Sequence, residues 1–404
     1  MIENPCVRYV DAFPVEIEGK QLIYLRDPEG LAPGMAVPKT AYFLMTQMNG
    51  AQSVQDLKNA FSKQFQGSVV TVGEVVELIG QLDDAFLLHN KRSMTRREEN
   101  ETAFRNALTR PAAHAGLSYP DDANTLRTMI DGFFDEGPGH PTGIKNEPLK
   151  ALIAPHIDFN RGGPCFAWAY KALAESPPPD LFVVLGTGHS ARKTFVMSRK
   201  DFETPFGVLN ADREIIDQIA EIAPLDVFAD EFAHKEEHAI EFQAVFLKYL
   251  YPDQDIPFVP ILCGSFHEMV EDRKNPQSAS VVAEFVRGLQ HVLDASGKRV
   301  CFIAGVDLSH VGQRFGDADM LTADFVADVE TVDHALIEKA GAMDADAYFD
   351  VVIRECDRTR VCGTSSIYTM LQTMHANRGE LLKYDHIVDH ETQQMVSFVS
   401  MAFY

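Results

Sequence analysis

Three histidines in this 404-residue chain stand just beyond apolar runs, a placement that suits metal ligation or proton transfer. Ala151–Pro155 ends on His156 and continues into the loop Asp158-Phe159-Asn160-Arg161-Gly162-Gly163. Leu181–Leu185 leads through Gly186-Thr187-Gly188 to His189, and Cys301–Val306 leads through Asp307-Leu308-Ser309 to His310. Imidazole nitrogen binds transition metals and exchanges protons near neutral pH. One histidine after a strand is more often a surface or hydrogen-bonded residue, but three in the same position favour a site. A fourth group comes from the segment His234-Lys235-Glu236-Glu237-His238-Ala239-Ile240-Glu241, which opens a helix and puts His238 and Glu241 on one face, three residues apart. The fifth is Arg360-Val361-Cys362-Gly363-Thr364, at the start of a helix running through Ser366–Leu371. A helix N-terminus lowers thiol pKa, so Cys362 is expected as a thiolate fit for metal ligation or nucleophilic attack.

The elements that must position these residues read as an α/β domain. LKALIAPH, LFVVLGTGH, FVPILCG and VCFIAGVDLSH are apolar runs of buried-strand type, alternating with helical stretches and each ending in Gly, His, Asp or Ser. That texture predicts a sheet covered on both faces by helices. In such sheets ligands bind beyond the carboxyl ends of the strands, where loops converge on a rigid frame, and the histidines fall there.

The first ninety or so residues follow a different pattern. Short β-rich runs around Val7–Val10 and Gln21–Leu25 precede a helical stretch Pro38–Met48 that stops at Asn49-Gly50. Ser53 is placed to cap a second helix with Val54, Leu57, Phe61 and Phe65 on one face. A third helix carries Val75, Val76, Ile79, Leu82 and Phe86 as its stripe. The expected organisation is a small α+β unit over residues 1–92, a mixed-charge linker over 93–109 that forms a solvated helix or tether, and the α/β domain over 110–404.

Composition limits the function classes. The apolar fraction of 46% and charged fraction of 24% are those of an ordinary globular protein. A formal net charge of -23 repels nucleic acid and anionic lipid, which disfavours a general DNA-binding role. The N-terminus has no apolar segment of signal-peptide type and no later stretch is long enough to span a membrane, so a cytoplasmic location is expected. Six cysteines in a chain of this length read as thiols rather than a disulfide framework. Cys165, Cys263 and Cys301 lie in or beside apolar runs and are expected to pack. Cys356 could pair with Cys362 under oxidation or stand as an exposed thiol.

The order of the motifs carries a resemblance. AGLSYP, His156 with its Gly-rich loop, GTGHS, EHAIE, DLSHVGQRFGD and VCGTSS appear as they do in the Memo-like family, which shares a fold with LigB-type extradiol dioxygenases. The resemblance, over about three-quarters of the chain, implies an iron or copper ion held by His156, His189 and Cys362. The dioxygenase relatives have a glutamate in place of the cysteine, so ring cleavage does not simply carry over. His238 and His310 would stand beside the metal as acid/base groups or as donors to an oxygen ligand, with Glu241 and Asp307 orienting them. Asp307 could equally cap its turn, and Asp158 could add a fourth ligand or a base. Ser190 and the Ile157-Asp158 pair depart from the family pattern. The run AYFLMTQMNGAQSVQDLKNAFSKQF…VVELIGQLDDAFLL resembles PqqD-like winged-helix domains, which implies recognition of a precursor peptide by strand addition. Memo-like bacterial proteins are similar to components found with radical-SAM and AMMECR-type proteins in a protein-modification system. The expectation is therefore a metal-dependent oxidoreductase or a component of such a system, with a non-catalytic metal-binding accessory or a metal chaperone as alternatives.

Overall fold

A computed structural model describes every residue except Met1, Glu18 and Ser68. The chain divides into two compact units, Met1–Asn106 and Ala107–Tyr404.

In the smaller unit a three-stranded antiparallel sheet runs in the order Asp11–Ile17, Lys20–Arg26, Met35–Pro38. The first strand lies beyond the expected Val7–Val10, where only isolated bridges at Cys6 and Val7 form. This strand, DAFPVEI, carries Pro14 in its interior. Proline is tolerated there because this strand lies at the edge of the sheet, paired on one side only. Helices follow at Lys39–Gln47, Val54–Gln64 and Val72–Asp84. The second and third open with reciprocal capping boxes, Ser53 with Asp56 and Thr71 with Glu74, each satisfying two otherwise orphaned backbone N–H groups. Leu57, Phe61, Val75, Ile79 and Leu82, drawn from the two expected stripes, are buried together with Leu25, Val37 and Leu44. The charged stretch after them forms a helix, Lys91–Asn106.

The larger unit is built on a mixed eight-stranded sheet covered by helices. Its centre is four parallel strands in the order Ala151–Ala154, Val300–Gly305, Leu181–Thr187, Phe258–Cys263. These are the four apolar runs of the sequence, and almost every residue in them is buried, as strands covered on both faces require. Gln394–Phe403 runs antiparallel beside Ala151–Ala154 and pairs in turn with Gly379–Asp389, a hairpin that the sequence reading did not anticipate.

Helices His238–Leu250 and Thr364–Thr373 both pack on the central strands Val300–Gly305 and Leu181–Thr187. Gly186 and Gly305, which are register partners in those strands, allow the first of these helices to approach. A Cβ on Gly305 would lie 2.5 Å from the Ala239 carbonyl oxygen, and one on Gly186 would lie 2.7 Å from Ile240 Cγ1. The start of the helix is thereby seated against the carboxyl ends of the sheet.

Candidate metal centre

Each central strand that carries a site residue delivers it at the same offset. His156, His189 and Asp307 all stand two residues past their strands, which end at Ala154, Thr187 and Gly305. Side-chain bonds fix these loops to one another. Asp307 accepts from the backbone N–H of His156 at 3.0 Å and of Ile157 at 3.2 Å. Gln243, one turn into the helix that begins at His238, donates to the Pro155 carbonyl at 2.9 Å and accepts from the Tyr170 hydroxyl at 2.7 Å.

The rings of His156, His189 and His238 converge, with centroids 4.9 to 5.0 Å apart in all three pairs. One nitrogen from each lies within 4.8 Å of the other two, so the group could hold a metal ion. The partners of the remaining nitrogens say which atoms these are. His156 Nδ1 is 3.1 Å from the Gly305 carbonyl, which can only accept, so Nδ1 carries the hydrogen and Nε2 is left as the donor to a metal. His189 Nδ1 lies 3.0 and 3.1 Å from the two carboxylate oxygens of Glu237, and His238 Nδ1 lies 3.2 Å from the nearer one. The same tautomer follows for His189, and the carboxylate facing His238 Nδ1 favours it there too, which fits the convergent set to a cation.

Cys362 lies beside His156 at the edge of this set. Its Sγ is 3.4 Å from His156 Nε2 and 3.4 Å from the Asp307 carbonyl. Backbone bonds hold the turn in place, from Cys362 N to Leu308 O at 3.2 Å and from Gly363 N to Asp307 O at 3.1 Å. A Cβ on Gly363 would lie 2.7 Å from Val306 Cβ, so glycine is needed for this approach. The expected lowering of the thiol pKa is reversed. Burial, reinforced by the negative charge of Asp307, pushes the Cys362 thiol well above its ordinary value and outweighs the start of the helix. A cation bound beside it would supply the charge that favours thiolate.

Burial also makes His156 and His238 harder to protonate. His156 is lowered to about 3 by burial and by the neighbouring His189. Burial likewise brings His238 well below its usual value, with Glu237 opposing. Glu237 is itself buried, which alone would raise its pKa, but the charge and hydrogen bonds of His189, with His238 acting through charge, hold it below the ordinary carboxylate range. Asp307 goes the other way, raised to about 6 by burial with His310 opposing.

The other expected residues are distributed as follows. Asp307 Oδ2 is 3.7 Å from His156 Nε2, within the centre. His310 opens the short strand His310–Val311, with Nδ1 3.1 Å from the Leu308 carbonyl and a pKa lowered to about 4 by burial, Asp307 opposing. Glu241 is turned away from the three rings. It is fully buried in an ion pair with Arg110 and accepts from the Tyr119 hydroxyl and from the backbone N–H groups of Ala113 at 3.1 Å and His114 at 2.9 Å. It anchors the RPAAHAGLSYP segment to the helix and does not orient His238. Asp158 pairs with Arg161 at the start of helix Phe159–Ala174. Cys356 is an exposed, free thiol at the end of helix Ala345–Glu355.

Residues 110–402 match the family described as Memo-like protein. The chain belongs to the Memo-like family. A MEMO1 family protein of Aquifex aeolicus is 29% identical over 99% of this chain and 100% of its own length. Another, from Methanopyrus kandleri, is 30% identical over 73% of this chain and 99% of its own length. A third, from Thermus thermophilus, is 26% identical over 79% of this chain and 89% of its own. The Aquifex protein therefore parallels both units of this Memo-like chain.

Glu237 and His114 are what the sequence reading of this Memo-like protein missed. Glu237 adjoins His238 in the quoted KEEH segment, but adjacency in sequence gave no hint that it also reaches His189. His114 stacks edge-on to His238 with centroids 5.6 Å apart, and its Nε2 is 2.9 Å from the Glu236 carbonyl. Its place beside the AGLSYP opening was the available signal.

Proposed function

We propose that this Memo-like protein is a metal-dependent oxidoreductase whose centre holds an iron or copper ion on the Nε2 atoms of His156, His189 and His238, with Cys362 completing the set as thiolate. The observation that carries this reading is the convergence of three imidazoles beside a thiol, with the Nδ1 atoms of His156 and His189 hydrogen-bonded to the Gly305 carbonyl and the Glu237 carboxylate and that of His238 facing the same carboxylate. Borderline nitrogen donors with one soft sulfur suit a redox metal better than a hard cation such as magnesium or calcium. When bound, the metal supplies electron transfer and polarisation of a substrate oxygen.

The chain's own residues supply proton handling. Asp307, with a pKa of about 6, can take or hold a proton at Oδ2 near neutral pH. His310, three residues on, holds its Nδ1 3.1 Å from the Leu308 carbonyl.

The test is purification under anaerobic conditions followed by metal analysis. One iron or copper per chain is expected for the wild type, with loss in His189→Ala, His238→Ala and Cys362→Ala. Full metal content in all three variants overturns the reading. Oxygen consumption by the loaded protein with catechols or peptides then separates turnover from a metal-binding accessory role.

A second reading concerns the smaller unit. Among the described residues its edge strand Asp11–Ile17 pairs on one side only, with Lys20–Arg26. That free edge supports the proposal that a precursor peptide adds to this sheet, and that the whole chain serves a peptide- or protein-modification system with radical-SAM and AMMECR-type partners. Retention of peptides by the full-length chain is expected, and failure to retain any from a diverse pool sinks it.

A further inference from the structure

Glu237 gathers hydrogen bonds from both sides of the centre. Its side chain is 3% exposed. Oε1 accepts from the backbone N–H groups of His238 at 2.9 Å and Ala239 at 3.2 Å, capping the helix, while Oε2 accepts from the backbone N–H of His189 at 2.9 Å. Both oxygens face His189 Nδ1, and Oε1 is also 3.2 Å from His238 Nδ1. His189 follows a strand and His238 opens a helix, 49 positions apart in sequence. The two rings lie almost parallel, with planes 16° apart.

We infer that Glu237 is the positioning residue of the centre, a single carboxylate that sets the tautomer and orientation of two histidine ligands at once. The inference rests on the metal reading above and deepens it. A carboxylate has only acceptors, and the groups that meet this one are donors. Both imidazoles must therefore carry hydrogen on Nδ1 and turn a bare Nε2 inward, where free imidazole favours the opposite tautomer. His156 obtains the same result from the Gly305 carbonyl, so it is independent of Glu237 and serves as an internal control. Glutamine at position 237 has the same shape and keeps one oxygen for the helix cap. Its NH2 group would meet a ring N–H head-on, so one of the two rings must change tautomer or swing away.

The experiment uses the full-length chain with 15N-labelled imidazoles and cobalt(II) alone as the probe. In metal-free wild type at pH 8, the ring 15N spectra should report Nδ1–H for His156, His189 and His238. In Glu237→Gln, His189 or His238 should convert while His156 stays, and cobalt affinity read from its visible ligand-field bands should fall about 10- to 100-fold, with the bands shifted. Glu237→Asp, which restores acceptors but shortens the reach, should recover the tautomers in part. Nε2–H rings at His189 and His238 in the wild type overturn the assignment whatever the metal does. Unchanged tautomers and unchanged cobalt affinity in a folded Glu237→Gln also overturn it. Nδ1–H rings in a wild type that takes up no cobalt bring down the metal reading while the tautomer assignment stands.

Discussion

His234 lies outside the three-ring cluster, buried, with Nε2 3.1 Å from the Val196 carbonyl and Nδ1 without a hydrogen-bond partner among the described residues. Burial lowers its pKa from 6.5 to about 4. The unfolded chain therefore binds a proton below pH 6.5 that the folded chain refuses until about pH 4, so the stability this residue contributes is full above 6.5 and is lost as pH falls. Between pH 7 and pH 5 the loss from His234 is about 2 kcal/mol, and His156 and His310 add losses of the same sign. Urea titrations at the two pH values should show the drop, and His234→Gln should shrink it; an equal drop in both proteins refutes the assignment. Glu241 gives a second residue-scale prediction. Removing it in Glu241→Ala strands the fully buried Arg110 guanidinium and should cost about 3–5 kcal/mol. Because it turns away from the rings, the variant that remains folded at low temperature should keep its metal, which elemental analysis of the folded fraction checks.

At the scale of elements, the glycine pair is the sharpest point of sensitivity. Gly305→Ala places a methyl against the Ala239 backbone oxygen, which cannot yield as a flexible side chain would. The expected result is a loss of about 1–3 kcal/mol in urea midpoint experiments. It should come with weaker metal binding, because the start of the helix carries His238. In the smaller unit, Thr71→Ala removes one capping box and should lower hydrogen-exchange protection across Val72–Asp84 by about 1 kcal/mol. These elements were legible to different degrees. The four central strands could be read because full burial leaves unbroken apolar runs, and the site was foreshadowed by histidines just past their ends. The hairpin Gly379–Asp389 with Gln394–Phe403 was missed because its first strand is half-exposed and mixes charge with apolar residues, so no single period stands out. The role of Glu241 was misread because sharing a helix face with His238 says nothing about what that face meets three residues on, and here it meets Arg110 and Tyr119. The state of Cys362 was misjudged because local helix position is visible in sequence whereas burial and the Asp307 charge are not.

At the scale of the whole molecule, a net charge of -23 would attract a cation toward a centre that could hold one. Association of divalent metal should slow several-fold between about 10 mM and 150 mM monovalent salt, as the screening length shrinks from about 30 Å to 8 Å. Stopped-flow cobalt uptake measures this, and a rate indifferent to salt would argue that the field at the centre is local. The proposed donors come from positions 156, 189, 238 and 362, each carried on a different segment of the larger unit. No fragment of the fold can assemble the set, so an ion bound there counts only chains that have finished folding. Metal and folding are then thermodynamically linked: at a free metal concentration about 100 times its dissociation constant the native state gains about 2.7 kcal/mol, and a chelator takes the same amount away. Supply of the ion would thus govern how long the protein survives as well as what it can do.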